Sequence, residues 1–223
     1  MNYAIAIDGP AGAGKSTIAK VLAKEMSLIY VDTGALYRTV GYYTTRRGIA
    51  LEDIEGITAA LDDLTVELKY VDGVQRVFAN GEDVSDLIRT PAISMAASAV
   101  SAIPAVRNYL LNTQRSIAAA NSVVMDGRDI GTVILPDAKV KIFLTASPES
   151  RARRRYDELQ AKGDPATYEE VLSDMIKRDY DDSHRAAAPL KQAEDAVLVD
   201  TSGDTLEQSV ARIKAVVLEK LAE

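Results

Sequence analysis

Short apolar runs alternate along this chain with longer stretches whose apolar residues recur every three or four positions. Tyr3-Ala-Ile-Ala-Ile7, Leu28-Ile-Tyr-Val31, Ser122-Val-Val-Met125, Val140-Lys-Ile-Phe-Leu144 and Ala196-Val-Leu-Val199 are brief and apolar, as buried strands are. Helical spacing appears between them, as in Ile18, Val21, Leu22 and Met26. Strands alternating with helices predict an α/β fold with five parallel strands and helices on both faces. Polar residues follow these strands at their C-terminal ends, where open α/β sheets bind ligands.

The helix boundaries are legible in places. Asp32 or Thr33 supplies the cap of the helix after the second strand. Ser147-Pro148 reads as a cap with proline at the first helical position, and Gly163 stops that helix. Thr167 with Glu170, and Thr205 with Gln208, have capping-box spacing. Val171, Leu172, Met175 and Ile176 then form the expected core face of the helix begun at Thr167. Ala96 to Ala102 and Ala118 to Ala120 are expected in tightly packed helices.

One segment departs from helical alternation. Leu64 to Val71 places Val66, Leu68 and Tyr70 on one face and Thr65, Glu67 and Lys69 on the other. Asp72-Gly73 follows, then Val74 to Ala79, then Asn80-Gly81. Asp-Gly and Asn-Gly between such runs signal hairpins, so a small antiparallel meander is expected. It reads as an insert in the parallel fold without a core of its own.

The P-loop carries the first chemical assignment. Gly9-Pro10-Ala11-Gly12-Ala13-Gly14-Lys15-Ser16, followed by Thr17, has the G-x-x-x-x-G-K-S spacing and sits between a strand and a helix. In that arrangement successive backbone N–H groups curl around a di- or triphosphate. Gly9, Gly12 and Gly14 permit the unusual φ values, Lys15 supplies a cation to the β- and γ-phosphates, and Ser16 offers a hydroxyl to Mg²⁺.

Composition narrows the setting. The chain has 223 residues, 47% hydrophobic and 26% charged, which suits one globular domain. No apolar run is long enough for a membrane span, and no signal or transit pattern is seen at the N-terminus. Absence of cysteine excludes disulfides and thiolate metal sites and suits a cytoplasmic location. With His184 the only histidine, a Ser-His-Asp triad would have to use that residue. A net charge of −7 argues against broad nucleic-acid binding. Arginines nevertheless gather at Arg151, Arg153, Arg154 and Arg155 and around Arg178 and Arg185, a pattern suited to a small polyanion in a cleft. Arg178, Asp182 and Arg185 fall on one face of their helix. Alone, such a face would be a solvated ion-pair stripe; beside a P-loop it describes a second anion site.

The P-loop GPAGAGKST, the runs DTGALYR and NGEDVSDLIRTP, the loop DGRDIGT, the strand VKIFLTAS and the tail RDYDDSHRAAAPL together resemble the bacterial cytidylate kinases, nearly end to end. The resemblance implies the nucleoside monophosphate kinase version of the P-loop fold. It also implies a single domain over residues 1–223, with a monophosphate-binding region at 37–118, the meander near 64–84 and an Arg-rich lid at 148–165. The implied reaction moves the γ-phosphoryl of ATP to CMP or dCMP with Mg²⁺. Separately, no coiled-coil stripe or large exposed apolar pattern argues against a monomer, and charge and hydropathy give no nucleic-acid or membrane partner.

The same resemblance assigns roles. Gly9 to Thr17 would cradle ATP. Arg38, Arg128 and Arg185 would hold the acceptor phosphate, and Ser98, Arg107 and Asp129 would read cytosine. Arg178 and Asp182 would lie near the sugar, with Thr33 at a position that can be serine in the family. Arg151, Arg154 and Arg155 would belong to the lid, neutralising charge on the transferring group. Apart from the resemblance, Asp32 or Asp126 either orients Mg²⁺ waters or serves as a structural loop residue. Another P-loop kinase of AMP, UMP or a small metabolite is the nearest rival, and a nucleotide-sensing switch is more distant. No N-K-x-D guanine signature supports a GTPase.

Overall fold

The computed structural model describes residues 2–71 and 74–223. In chain order it contains β1 (Ala4–Asp8), α1 (Lys15–Glu25), β2 (Ile29–Asp32), α2 (Thr33–Arg46), α3 (Ile54–Ala60), β3 (Val66–Val71), β4 (Val74–Ala79) and β5 (Glu82–Asp83). There follow α4 (Pro91–Ser101), α5 (Pro104–Ala120), β6 (Val123–Gly127), β7 (Val140–Thr145), α6 (Pro148–Gln160), α7 (Tyr168–His184), β8 (Val197–Asp200) and α8 (Leu206–Ala222). The chain divides into two compact units, residues 1–30 with 121–223 and residues 31–120.

The larger sheet has five strands in the order β2-β6-β1-β7-β8. Its β1–β6, β1–β7 and β7–β8 pairings are parallel. All five runs expected from the sequence are therefore strands of one α/β sheet, as a P-loop fold requires. In the first unit, Ile5, Ile7, Ile18, Leu22, Val124, Ile142 and Ile213 pack together fully or almost fully buried. Each such side chain contributes about 1.5–3 kcal/mol by leaving water. Parallel pairing sets Asp8 opposite Gly127, so the loops leaving β1 and β6 start side by side.

Caps act where the sequence placed them. Asp32, rather than Thr33, caps α2 by accepting from Ala35 N, and Ser147 caps α6 through Ser150 N. Thr167 with Glu170 and Thr205 with Gln208 both form complete capping boxes. Gly163 takes a φ of +74° just past the end of α6. On α7 the expected inner face is narrower than its sequence pattern. Val171 and Met175 pack with Ala152, while Ile176 is 50% exposed, because it lies about a quarter-turn round from Met175.

In the second unit β3, β4 and β5 form the antiparallel meander. Asp72-Gly73 lies outside the described residues. Asn80 and Gly81 both have positive φ, 50° and 81°, as a type I′ turn between β4 and β5 demands. The first strand is shorter than the sequence pattern: Thr65 N bonds the Asn80 side chain at 2.7 Å, and pairing in β3 starts at Val66. Burial fades outward along β3, from Val66 to half-exposed Tyr70. Val66, Val77 and Ala79 join a buried cluster with Leu36, Val40, Ile57, Val100 and Leu110. Ala96 and Ala97 pack closely on Gly41 of α2, where a Cβ would come within 3.0 Å of each. Ala119 and Ala120 are exposed, so that stretch is helical by propensity rather than by tight packing.

The start of the P-loop tests how tightly β1 and β7 are drawn together. Gly9 has φ +149°, and a Cβ there would lie 1.9 Å from the Leu144 carbonyl oxygen. Gly48 has φ +70° but open space around it. Gly48→Ala should cost about 1–2 kcal/mol, the penalty of the left-handed conformation alone. Gly9→Ala should unfold the chain at several-fold lower urea or leave it insoluble. Similar urea midpoints for the two variants would show that the strand ends can separate without cost.

Candidate functional site

The P-loop bends over the N-terminus of α1. Gly12 and Gly14 have φ of 73° and 87°, and Gly14 occupies the cap position in the left-handed region. Helices α2, α3, α4, α6, α7 and α8 each begin under a side-chain oxygen that accepts a backbone N–H. No side chain caps α1, and no acidic residue lies in its first turn. Its N–H groups and positive dipole end are thus available to an anion.

Lys15 is buried, with its Nζ donating to the Pro10 carbonyl at 2.7 Å. Burial lowers its pKa well below the usual lysine value, and repulsion from Arg128 and Arg178 lowers it further against the pull of Asp126 and Asp8. Ser16 Oγ donates to Asp126 Oδ2 at 2.8 Å, and Tyr30 OH donates to Oδ1 at 2.9 Å. Of the two aspartates considered from sequence, Asp126 is therefore the one against Ser16. Asp32 is occupied by Ala35 N and by Arg38 at 2.8 Å. A serine hydroxyl beside a buried carboxylate is a hard-oxygen pair that suits Mg²⁺, which takes few protein ligands when phosphates supply the others.

Around Asp182 the first unit gathers the residues expected to meet the acceptor. Arg128 Nε donates to Asp182 Oδ2 at 2.8 Å, and Arg185 lies 3.8 Å from Asp182 and 3.7 Å from Asp129. Burial pushes the Asp182 pKa up, but Arg128, Arg178 and Arg185 outweigh it and hold the carboxyl below the ordinary aspartate value. Asp129 is buried at the end of the loop after β6. Arg185 joins Arg178 and Asp182 as the cap residue just past α7 rather than as a residue within the helix. Helix α7 ends at His184, and Arg185 turns extended (φ −62°, ψ 142°) with its Nε on the Ala188 carbonyl. The chain reverses there before Pro189, and Leu190 N returns to the Asp182 carbonyl.

The arginines of α6 have three different environments. Arg151 is buried, and it donates to Ala146 O, to Ala11 O of the P-loop and to Asp179 Oδ2. Its Cβ and the Met175 side chain lie directly under Gly12. Arg154 donates to the Thr201 carbonyl at 2.7 Å. Arg155 is half exposed and pairs with Glu158 on its own helix. Among the P-loop residues named from sequence, Ala13 is buried and Thr17 is exposed.

The second unit holds the remaining named residues. Arg38 on α2 is gripped by Asp32, with its Nε buried and lacking a hydrogen-bond partner. Arg89 approaches the same Asp32 carboxylate at 3.7 Å. Thr33 is buried as the first residue of α2, and Ser98 is partly buried on α4. Arg107 on α5 donates to the Ser101 carbonyl at 3.2 Å and lies over the Tyr37 ring.

Three participants were not singled out from sequence. Asp8, Tyr30 and Asp179 each place an oxygen on a site residue or its loop, and each looked like an ordinary strand or helix residue. Asp8 had the clearest signal, a lone charge closing an apolar strand just before the P-loop. His184 lies exposed and stacked on the Tyr180 ring, with its Nδ1 2.9 Å from the Tyr180 carbonyl oxygen.

The sequence model of the cytidylate kinase family matches residues 5–219. A cytidylate kinase of Carboxydothermus hydrogenoformans is 51% identical over 216 residues, covering 97% of this chain and 97% of that protein. Another, from Caldanaerobacter subterraneus, is 54% identical over 209 residues, covering 94% and 92%. A solved structure of an uncharacterized protein from Eubacterium ventriosum aligns with a TM-score of 0.51 at 14% identity, covering 98% of this chain and 99% of that one. That last likeness is one of fold alone. A family match over almost every residue, with relatives about half identical end to end, places the P-loop and its arginines in context: the chain belongs to the cytidylate kinase family.

Proposed function

We propose that this protein transfers the γ-phosphoryl of ATP to CMP or dCMP, giving ADP and CDP or dCDP. The observation that carries it is the electrostatics of the P-loop. A buried lysine, an uncapped helix N-terminus and two arginines that depress the lysine's pKa converge on one place. Asp126 and Asp8 offset part of that positive charge, and the phosphates of the two substrates of a monophosphate kinase supply the rest.

Phosphoryl transfer needs alignment and charge neutralisation more than covalent help. The backbone from Gly9 to Thr17 holds the donor phosphates, with Lys15 at the β- and γ-positions. Ser16 and Asp126 are the residues that would hold Mg²⁺, which supplies charge neutralisation on the donor phosphates when bound. Arg128 and Arg185 hold the acceptor phosphate, together with Arg38. Asp182 and Arg178 serve the sugar, and Asp129, Arg107 and Ser98 read the base. No strong general base is needed, because the attacking oxygen belongs to an anionic phosphate. Arg151, fixed on the Ala11 carbonyl, steadies the P-loop turn. Arg155 has only an exposed pair to give up, worth a few tenths of a kcal/mol, before it can turn to the transferring group. On this reading the protein works as a monomer in the cytoplasm, with neither nucleic acid nor membrane as partner. No helix among the described residues is long and apolar enough to cross a membrane.

The reading is tested by ADP formation from ATP with and without CMP; ADP production indifferent to CMP would leave a nucleotide switch or another kinase. Lys15→Met should abolish transfer while circular dichroism and urea midpoint hold or improve, since a buried charge is replaced by an apolar chain of similar length. Comparable kcat in that variant would overturn the P-loop assignment. Asp129→Asn should lower kcat/KM for CMP and raise the relative use of UMP. Cytosine offers an amine where uracil offers a carbonyl, and a buried acceptor facing that carbonyl costs on the order of 1–3 kcal/mol. An unchanged CMP-to-UMP ratio would move base selection away from Asp129.

A further inference from the structure

Asp8 is a buried carboxylate that the mechanism above does not use. It closes β1 immediately before Gly9 and is 4% exposed. Its Oδ1 accepts from Ile130 N and its Oδ2 from Gly131 N, both at 2.7 Å. Both oxygens are thus committed to consecutive backbone donors just past Asp129. Burial pushes the Asp8 pKa up to about 6, against the two amides and Lys15, which pull it down, and with Asp129, which pushes it up. Holding an unneutralised carboxylate in such surroundings is costly, and an apolar residue would close the strand without that cost. What the apolar residue would lack is the two-pronged grip.

The grip falls at a telling place in the chain. The backbone leaves β6 at Gly127, whose sheet partner is Asp8 itself. It then passes Arg128 and Asp129 and is caught again by the Asp8 carboxylate at Ile130 and Gly131. Arg128 and Asp129 therefore form a two-residue span anchored at both ends to one residue, at strand and side chain. Gly131 leaves room for the Lys141 stem, which a Cβ there would meet tightly at 3.2 Å, while Asp8 Oδ2 would be in ordinary contact at 3.4 Å. Lys141 is itself buried and fastened to Asp195 at 2.8 Å and 3.0 Å, so the loop has a firm backing.

We propose that Asp8 is a positioning residue for the acceptor nucleotide, fixing the Arg128–Asp129 span against the P-loop so that phosphate and base contacts are held in register. The proposal rests on the CMP kinase reading. Asp8 touches neither substrate; it acts through the loop it holds.

The test is Asp8→Asn, which keeps the shape but turns an N–H₂ group toward one of the two backbone donors. ATP affinity without CMP, by calorimetry, should change less than CMP affinity, because Asp8 reaches Lys15 only through space whereas it holds the Arg128–Asp129 span by direct hydrogen bonds. Over the same comparison kcat/KM for CMP should fall at least about tenfold, and the CMP-to-UMP preference should narrow by a similar factor, as one lost buried hydrogen bond implies. Narrowed base preference is the decisive sign, since a purely structural brace would lower the urea midpoint and leave the ratio alone. An unchanged ratio would overturn the proposal, as would equal losses of ATP and CMP binding, which would make Asp8 a support of the P-loop. If Asp8→Asn does not fold, Asp8→Ala removes the two-pronged grip without burying an amide, and the same ratio decides. A wild-type protein without CMP-dependent ADP formation would end the kinase reading and this proposal with it; a wild type active on CMP with an unmoved variant ratio would end this proposal alone.

Discussion

Lys15 is a cation kept from water at the mouth of the P-loop, and Arg128 and Arg178 lie close enough to repel it. Like charges in a poorly hydrated place are costly unless opposite charges share it. The first unit meets this with Asp126, Asp8 and Asp182, each set against a cation or a row of amides. Without that compensation the pKa of the P-loop lysine would be pushed lower still. A bound polyanion reverses the balance, since every one of these cations then gains a partner. The interior is thus arranged for a guest with several negative charges, and much of the unit's polar architecture follows from that.

The compensation is asymmetric in a useful way. Asp126 is tied to Ser16 and Tyr30, within reach of the donor phosphates' end of the loop. Asp182 is tied to Arg128, with Arg185 close by, among the residues assigned to the acceptor. Asp8 takes no cation as a hydrogen-bond partner and holds backbone instead. Direct pairing with hydroxyls and arginines thus falls to Asp126 and Asp182, and the grip on the loop backbone to Asp8, which reaches Lys15 only through space. That separation lets a substitution change one without the other.

The arginines of α6 show how far a side chain's environment can depart from its sequence setting. Arg151, Arg154 and Arg155 lie within one short stretch of a single helix. One is buried across the P-loop turn, one grips the carbonyl after β8, and one sits in an exposed pair. At i, i+3 and i+4 the three share one helix face, so their different environments come from what each reaches: the P-loop turn, the carbonyl after β8, or a partner on α6 itself. In the second unit, Asp32 combines two tasks, capping α2 and clasping Arg38, which leaves that arginine's Nε buried without a partner.

What the sequence determined by itself was whatever depends on neighbours in the chain. Five apolar runs became the five strands: β1, β2, β6 and β7 are buried along most of their length, as near-continuous apolar runs imply, while edge strand β8 buries only Val199. The capping boxes at Thr167 and Thr205 and the Asn80-Gly81 turn were legible for the same reason: their hydrogen bonds and φ values are local. The P-loop was readable as a ligand site because its glycines, lysine and serine are consecutive. Tertiary structure decided the rest. Ile176 had the spacing of a core residue yet faces water, since only packing on α6 says how wide the buried stripe is. Arg185 left its helix because the chain turns at that point. Asp126 rather than Asp32 met Ser16, 110 residues away, through strand pairing that no short window contains. Asp8 found Ile130 and Gly131 across 122 and 123 residues, because parallel strands bring distant loops to the same edge of the sheet. Local pattern determines elements, but only the register between strands decides which polar ends meet.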